Sequence, residues 1–162
     1  MHVEAVTQED LDFLHRAIEL ALEARADGRH PFGALVVSDV GVNLVEARNN
    51  AVLPQGDPTQ HAEMLACAQA SRMMSKEDLA RCTLYTSTEP CAMCAGAIYW
   101  TGIGRVIYAL PEHRLLDFTG DDARNPTLRL PCREVFARGQ RPIAVIGPLL
   151  EEEAARVHED FW

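Results

Sequence analysis

The stretch TLYTSTEPCAMCAGAIYW, residues 83–100, decides the fold of this 162-residue chain. Its first six residues are mostly β-branched, aromatic or apolar, which predicts a buried strand from Thr83 to Thr88. Pro90 suits the first turn of a helix, so the residues that follow predict a short helix through Trp100. A strand that leads directly into a helix is typical of an α/β protein, in which ligands collect at the carboxyl ends of the strands.

Hydrophobic periodicity and turn residues predict further helices and strands on both sides of this stretch. Thr7 and Asp10 have the spacing of a capping box, and Thr59 is the predicted cap of a second helix. The predicted helices run from Gln8 to Arg25, Gln60 to Met74, Pro131 to Arg138 and Glu151 to Phe161. The other predicted strands run from Phe32 to Val37, Val42 to Arg48, Arg105 to Leu110 and Ile143 to Gly147.

The order of these elements predicts one domain over residues 1–162 with an α/β architecture. The first two strands are joined by a short turn and predict an antiparallel hairpin, whereas the later strands alternate with helices and predict parallel pairing. The expected fold class is therefore a three-layer α/β/α sandwich around a five-stranded mixed sheet.

Composition narrows the classes of function. The net charge is −9, and no Lys/Arg cluster is longer than two residues, which argues against binding to a nucleic-acid backbone. No apolar run approaches the ~18 residues that a membrane helix needs. Acidic residues at positions 9, 10 and 12 interrupt the region in which a signal peptide would be apolar, so the expected location is cytoplasmic.

Two motifs predict a zinc site: His61-Ala62-Glu63 and Pro90-Cys91-Ala92-Met93-Cys94. Cys91 and Cys94 are three residues apart at a helix start, so both sulfurs can reach one ion. His61 is predicted at the start of another helix, and two thiolates with one imidazole balance the charge of Zn²⁺. Three protein ligands leave the fourth tetrahedral position open for water, which is typical of a catalytic zinc site.

Glu63 follows His61 by two residues and is the predicted catalytic residue, because a carboxylate beside an activated water can transfer protons. The alternative is a closed structural zinc site with Cys82 or Cys132 as a fourth ligand, although neither has ligand-type spacing to the pair. An odd number of cysteines, five, argues against a disulfide framework.

The His-x-Glu and Pro-Cys-x-x-Cys pair is the known signature of zinc nucleobase deaminases, and residues 17–122 resemble the cytidine deaminase superfamily. Within it the chain is most similar to bacterial guanine deaminases and next to tRNA adenosine deaminases. The resemblance implies a cytidine deaminase-like fold, zinc bound by His61, Cys91 and Cys94, hydrolytic release of ammonia, and a homodimer.

The resemblance also implies which residues bind the ring. In these families an asparagine follows the second strand; Asn49 fits the strand end, and Asn50 fits when positions are counted back from the histidine. Phe32 and Trp100 match aromatic positions that could stack on a base. Asp122 has the spacing of a substrate-binding aspartate in guanine deaminases, and a carboxylate matches the adjacent N1–H and 2-amino donors of guanine.

The predicted function is deamination of a small nucleobase or nucleoside, first of all guanine to xanthine and ammonia. The alternatives are adenosine deamination in tRNA, deamination of another aminoheterocycle such as cytosine, a nucleoside or a triazine, and an inactive zinc-stabilised interaction module. Three roles remain open for Phe161 and Trp162: an oligomer contact, a cover over the active site, or a frayed tail.

Overall fold

A computed structural model describes residues 5–162 of the chain. The strands are β1 (Gly33–Val37), β2 (Asn43–Arg48), β3 (Thr83–Thr88), β4 (Arg105–Leu110) and β5 (Ala144–Ile146). The helices are α1 (Gln8–Ala26), α2 (Ala62–Met73), α3 (Lys76–Leu79), α4 (Ala92–Thr101), α5 (Glu112–Thr119), α6 (Cys132–Ala137) and α7 (Glu151–Arg156).

The strands form one mixed sheet in the order β2-β1-β3-β4-β5. β1 pairs antiparallel with β2 on one side and with β3 on the other. β3, β4 and β5 run parallel to one another. The predicted hairpin, the parallel strands and the five-stranded mixed sheet are therefore confirmed.

Helices cover both faces of the sheet, which confirms the three-layer prediction. Side chains of β1 alternate between the faces, as the two-residue period of a strand requires. Ala34 and Val36 pack in a core with α2, α4 and α6, whereas Leu35 and Val37 pack in a second core with α1 and α7. All five residues of β1 are buried, because this strand has a helical layer on each side.

The first helix is held at its start by the predicted capping box. The Thr7 hydroxyl accepts a hydrogen bond from the backbone N–H of Asp10, and the Asp10 carboxylate accepts one from the N–H of Thr7. Farther along, α1 passes so close to β1 that a Cβ at Gly33 would lie 2.5 Å from the carbonyl oxygen of Ala17. Glycine is therefore required at this close approach.

The start of α2 differs from the prediction in a way that affects the site. The helix begins at Ala62, and His61 is its N-cap residue, with an extended backbone at φ −66° and ψ 155°. The predicted start at Gln60 and the predicted cap at Thr59 are wrong. Thr59 instead donates its backbone N–H and its hydroxyl to Asp57, which forms a local turn before the helix.

The region after β4 is more helical than the sequence pattern suggested. The short helix α5, which begins immediately after Pro111, was not expected. Neither was the short helix α3, which lies earlier in the chain, between α2 and β3. The final helix ends at Arg156 rather than Phe161, and the chain then turns, with Asp160 in the left-handed region at φ 57°. Within residues 5–162, no helix combines the length and apolar character needed to cross a bilayer.

A buried ion pair joins α1 to the sheet. Asp10 is only 4% exposed, and its carboxylate accepts hydrogen bonds from the Tyr85 hydroxyl at 2.7 Å and from Arg105 at 2.8 Å. Burial alone would raise the pKa of Asp10, but the hydrogen bonds from Arg105, Thr7 and Tyr85 hold it well below its ordinary value. The carboxylate is thus favoured in the folded state.

Asp10→Asn is expected to lower the free energy of unfolding by about 3 kcal/mol at pH 7, because it leaves Arg105 without its buried carboxylate. Because the folded-state pKa is depressed, this contribution is present above the ordinary pKa of 3.8 and is lost as the pH falls below it. Urea unfolding at pH 7 and pH 3 measures both effects, with the exposed Asp12→Asn as the control. An equal loss at both pH values would contradict the role of the charge.

Candidate metal centre and catalytic cavity

The three predicted metal ligands meet at one point. The Nδ1 atom of His61 lies 3.6 Å from the Sγ atom of Cys91 and 3.6 Å from that of Cys94. The three ligand atoms all lie within 4.8 Å of one another. His61 is the N-cap of α2 and Cys91 is the N-cap of α4, so two helix starts bring the ligands together.

These distances fit a tetrahedral zinc ion. Zinc binds sulfur at about 2.3 Å and imidazole nitrogen at about 2.0 Å, so a tetrahedral angle separates nitrogen from sulfur by roughly 3.5–3.6 Å. The observed separations match this value without movement of the ligands. The donor set of one imidazole and two sulfurs is also one that zinc prefers.

A fourth protein ligand is not brought to this cluster. Among residues 5–162, the group that could hold a metal consists of His61, Cys91 and Cys94. Cys82 contacts the carbonyl oxygen of Asp78 instead. Cys132 is buried at the start of α6 and does not join the group. The arrangement is therefore that of an open, catalytic zinc site rather than a closed structural one.

The local electrostatics favour metal binding. The hydrogen bond from Cys94 and the contact with His61 lower the pKa of the Cys91 thiol to about 4. Cys94 is the donor in this hydrogen bond, which raises the pKa of its own thiol, and burial raises that pKa further. Burial opposes the charge of His61, but its hydrogen bond with Cys91 raises its pKa overall. A metal ion that binds here displaces these protons and takes their place.

Glu63 projects into the same site from the first turn of α2. The Thr86 hydroxyl donates a hydrogen bond of 2.7 Å to its Oε1 atom, and Cys94 Sγ lies 3.5 Å from its Oε2 atom. Its side chain is buried, and burial raises the pKa of the carboxyl. A carboxyl of this kind, held beside a metal site, can both accept and return a proton.

A cavity of about 220 Å³ opens from the metal ligands. Phe32, Met93, Leu115 and Leu128 give it apolar walls. Its polar lining includes Glu63, Thr88, Glu89 and Glu112. The cavity is thus small, largely apolar and rich in hydrogen-bond acceptors.

The two candidate asparagines have different environments. The Asn50 amide is fully engaged, since its oxygen accepts from Arg29 at 2.8 Å and its nitrogen donates to Gln60 at 2.6 Å. The Asn49 side chain is 1% exposed, and its oxygen accepts from the N–H of Ala51. Its amide nitrogen donates to no residue in the described part of the chain, so Asn49 retains a free donor. Asn49 is nevertheless not one of the residues that line the cavity.

The aromatic tail lies against the cavity wall. Phe32 lines the cavity, and its ring centroid lies 6.1 Å from that of Trp162 and 5.4 Å from that of His158. The Trp162 indole N–H donates to His158 at 3.1 Å. Phe161 lies beneath the guanidinium group of Arg25. The C-terminal residues therefore pack on their own chain; the predicted role as a cover stays a prediction.

Besides Asn49, two other predicted substrate residues do not line the cavity of their own chain: Trp100 and Asp122. Trp100 comes nine residues after Cys91, which places it about 13 Å farther along α4, and it is 73% exposed. Asp122 is held by Arg124, whose Nε atom donates to both carboxylate oxygens at 3.0 Å. This pairing lowers the pKa of Asp122 to about 2.

Four residues of the site were not predicted: Thr86, Thr88, Glu89 and Glu112. Thr86 and Thr88 lie on β3, on the face that carries Leu84. Their two-residue spacing just before Pro90 could have identified them from the sequence as residues on the same face of the strand. Glu89 accepts hydrogen bonds from the backbone N–H groups of Glu112 and Cys132. Glu112 is the first residue of α5, two residues after the end of β4. The position just after a predicted strand end was a usable signal, but α5 itself was not expected.

Comparison with known proteins matches the chain to deaminases. Residues 7–110 match the model of the cytidine and deoxycytidylate deaminase zinc-binding region. The chain is 42% identical to a probable cytosine deaminase of Schizosaccharomyces pombe over 157 residues, which is 97% of this chain and 94% of the relative. It is 47% identical to the guanine deaminase of Bacillus subtilis over 102 residues, 62% of this chain and 64% of the relative.

A solved structure of a guanine deaminase from Nitrosomonas europaea is similar over nearly the whole chain. The TM-score is 0.76 at 26% sequence identity, with 96% of this chain and 85% of the other covered. The similarity therefore extends beyond the matched motif region to the later helices.

The purified protein is expected to bind one zinc ion per chain. Cys91→Ala and Cys94→Ala remove a ligand each and should weaken zinc binding by at least 100-fold, as measured by chelator competition and elemental analysis. Cys82→Ala, a buried cysteine away from the cluster, is the matched control and should retain full stoichiometry. Loss of zinc in the Cys82 variant would instead indicate a closed site.

Proposed function

The chain belongs to the zinc-binding cytidine and deoxycytidylate deaminase family, and from this premise we propose that it hydrolytically deaminates a free nucleobase. One observation supports the proposal above all. Glu63 lies beside three zinc ligands and lines the same cavity as His61 and Cys91, so the proton-transfer group and the metal site share one space. The products are ammonia and the corresponding oxo base.

His61, Cys91 and Cys94 would hold zinc, which when bound supplies Lewis-acid activation of water at neutral pH. Glu63 accepts a proton from the attacking water and passes it to the ring nitrogen beside the amine. It then carries the second proton to the leaving amino group, so water adds and ammonia leaves. Thr86 fixes one carboxylate oxygen through its 2.7 Å hydrogen bond and so orients Glu63 toward the substrate.

The size of the cavity supports a free base rather than a nucleotide. Its volume of about 220 Å³ is below the range of roughly 300–1,000 Å³ that is usual for drug-sized ligands. Phe32 offers a ring face for stacking on a planar base. Asn49, with its free amide donor, is the asparagine that we assign to a ring acceptor.

Cytosine is the first candidate substrate and guanine the second. The cytosine assignment is supported by the probable cytosine deaminase, whose similarity covers nearly the full length of both chains. The guanine assignment expected from the sequence keeps the support of the Nitrosomonas europaea structure. Its residue-level argument is weaker, because Asp122 is engaged by Arg124 and Trp100 lies outside the cavity of its own chain.

Deamination of tRNA is disfavoured by the charge of −9, since a polyanion is attracted by clusters of positive charge. An inactive interaction module is disfavoured by the buried Glu63, because a carboxyl with no catalytic role gains nothing from burial beside a metal site. A homodimer, which the family resemblance implies, and a cytoplasmic location are further parts of the proposal.

Zinc-loaded protein is expected to release ammonia from cytosine or guanine in preference to adenine, cytidine and guanosine. Glu63→Gln should keep zinc and lower kcat by at least 1,000-fold, because the amide cannot carry protons. A coupled ammonia assay with elemental analysis of both proteins measures this. Near-full activity in the zinc-loaded variant would exclude the proposed mechanism.

Thr86→Val is expected to lower kcat about ten-fold with little change in KM, because Glu63 loses the hydrogen bond that orients it. The substitution keeps the shape of the side chain and suits a strand. Thr83→Val, on the same strand but facing Arg105, is the matched control. A change confined to KM would show that Thr86 acts on substrate binding instead.

A further inference from the structure

The cavity contains a polar pair that the mechanism above does not use. Thr88 is 3% exposed, and its hydroxyl oxygen is buried without a hydrogen-bond partner among the described residues. Both Thr88 and Glu112 line the cavity. Thr88 pairs with Leu110 at the carboxyl ends of β3 and β4, and Glu112 follows Leu110 by two residues. The two side chains therefore come from adjacent strand ends.

The neighbouring polar groups are already engaged, which distinguishes this pair from them. Both oxygens of Glu89 accept backbone N–H groups, at 2.9 Å from Glu112 and 3.1 Å from Cys132. The Thr127 hydroxyl pairs with that of Thr119 at 3.1 Å. Glu112 forms no ion pair within the described chain; its side chain accepts from the N–H of Leu130, and the positive charge of Arg129 acts on it without forming an ion pair. Most of its acceptor capacity is free.

A buried hydroxyl without a partner is destabilising, and folded proteins keep few of them. In a residue that lines a ligand cavity, such a hydroxyl is explained when a bound ligand supplies the missing partner. The chemistry of the pair defines that ligand: the hydroxyl can donate, whereas an ionised carboxylate can only accept. Together they match a ring edge that presents a carbonyl oxygen next to an N–H group.

We propose that Thr88 and Glu112 form a specificity-determining subsite for the amide-like –NH–C(=O)– edge of an aminated base. Thr88 donates to the ring carbonyl, and Glu112 accepts from the adjacent ring N–H. This inference rests on the proposed function and narrows its substrate class. Cytosine presents this edge with its C2 carbonyl nearer the amine-bearing C4 and its N1–H opposite C4. Guanine presents N1–H directly beside its amine-bearing C2 and its C6 carbonyl farther away, so the order of acceptor and donor is reversed. A pair of fixed side chains fits one order, and the subsite is therefore assigned to cytosine, the first candidate substrate.

The same subsite disfavours other members of the wider substrate class. Adenine has no ring carbonyl, so the Thr88 hydroxyl would face a poorer partner. Cytidine carries its sugar on N1, which removes the N–H that Glu112 accepts and leaves a carboxylate unpaired. A site that is built to pair with a polar group rejects a ligand that lacks it, because its own buried groups are left without partners.

The test uses Thr88→Val, which removes the hydroxyl but keeps its shape, and Glu112→Gln, which removes the charge. In zinc-loaded protein each should lower kcat/KM for the preferred base at least ten-fold, mainly through KM, and reduce the preference over adenine. Thr88→Ser should restore most of the loss. The matched controls are Thr83→Val on the same strand and the exposed Glu134→Gln on α6.

Two readouts do not depend on turnover. Calorimetry should show weaker binding of cytosine to both variants. The melting temperature of Thr88→Val without ligand should equal or exceed that of the unaltered protein, since the variant removes an unpartnered hydroxyl. A melting temperature lowered by several degrees would mean that Thr88 serves the fold, and the inference would be rejected.

The outcomes separate this inference from the proposed function. Turnover that stays within two-fold of the unaltered protein in both variants overturns the subsite and leaves the deaminase proposal intact. Base binding that both variants weaken, without turnover by the unaltered protein, supports the subsite and overturns the deaminase proposal. If the unaltered protein neither binds nor deaminates any base, both are overturned.

Discussion

The convergence of two helix starts above the sheet is the constraint on which the rest of the site depends. His61 and Cys91 occupy the N-cap positions of α2 and α4, and neither side chain caps its own helix. The first backbone N–H groups of both helices are therefore left to face the cluster, where their partial positive charge favours thiolates. A binding site for zinc is thus formed by positions that in most helices serve only to stabilise the helix itself.

A second set of contacts joins the segment before Cys91 to the helices α5 and α6. Helices α5 and α6 both begin after a proline, Pro111 and Pro131, which has no side-chain oxygen for capping. Glu89 supplies the missing acceptors, with one carboxylate oxygen for the first N–H of each helix. Because Glu89 immediately precedes the Pro-Cys-x-x-Cys motif, the metal site and the cavity wall are fixed by the same short segment.

The sequence was most informative where the functional residues belong to short motifs with fixed spacing. His61, Glu63, Cys91 and Cys94 come from two short motifs at strand-to-helix junctions, and the ligand cluster is formed by the three residues predicted. The fold class followed from the order of elements, because strands that alternate with helices have few ways to pair. The start of α2 was misplaced, because Thr59 is a typical cap but its hydroxyl bonds Asp57 instead.

The remaining parts of the site depend on contacts between distant residues. Glu112 reaches the cavity because β4 lies beside β3 and because α5 begins at Glu112. The parallel pairing was expected from the order of the elements, whereas α5 was not. Trp100 is the opposite case, a residue that was predicted for the site but does not line the cavity. It was predicted from a match to a family motif, and such a match does not show which end of a helix faces the cavity. An exposure of 73% places its side chain away from the core of its own chain.

Contacts made by the C-terminal residues favour Glu112 over Asp122 as the carboxylate that accepts a hydrogen bond from the ring N–H of a substrate. Arg124 is bound to the Asp122 carboxylate and also lies over the rings of Phe161 and Trp162, at 5.8 Å and 5.6 Å from their centroids. To free Asp122 for a substrate, the protein would have to give up an ion pair and two cation–π contacts together. Glu112 forms no ion pair with any residue in positions 5–162, although the more distant positive charge of Arg129 acts on it, and it lines the cavity. These contacts are the reason that the proposed subsite uses Glu112, at the start of α5, and not Asp122.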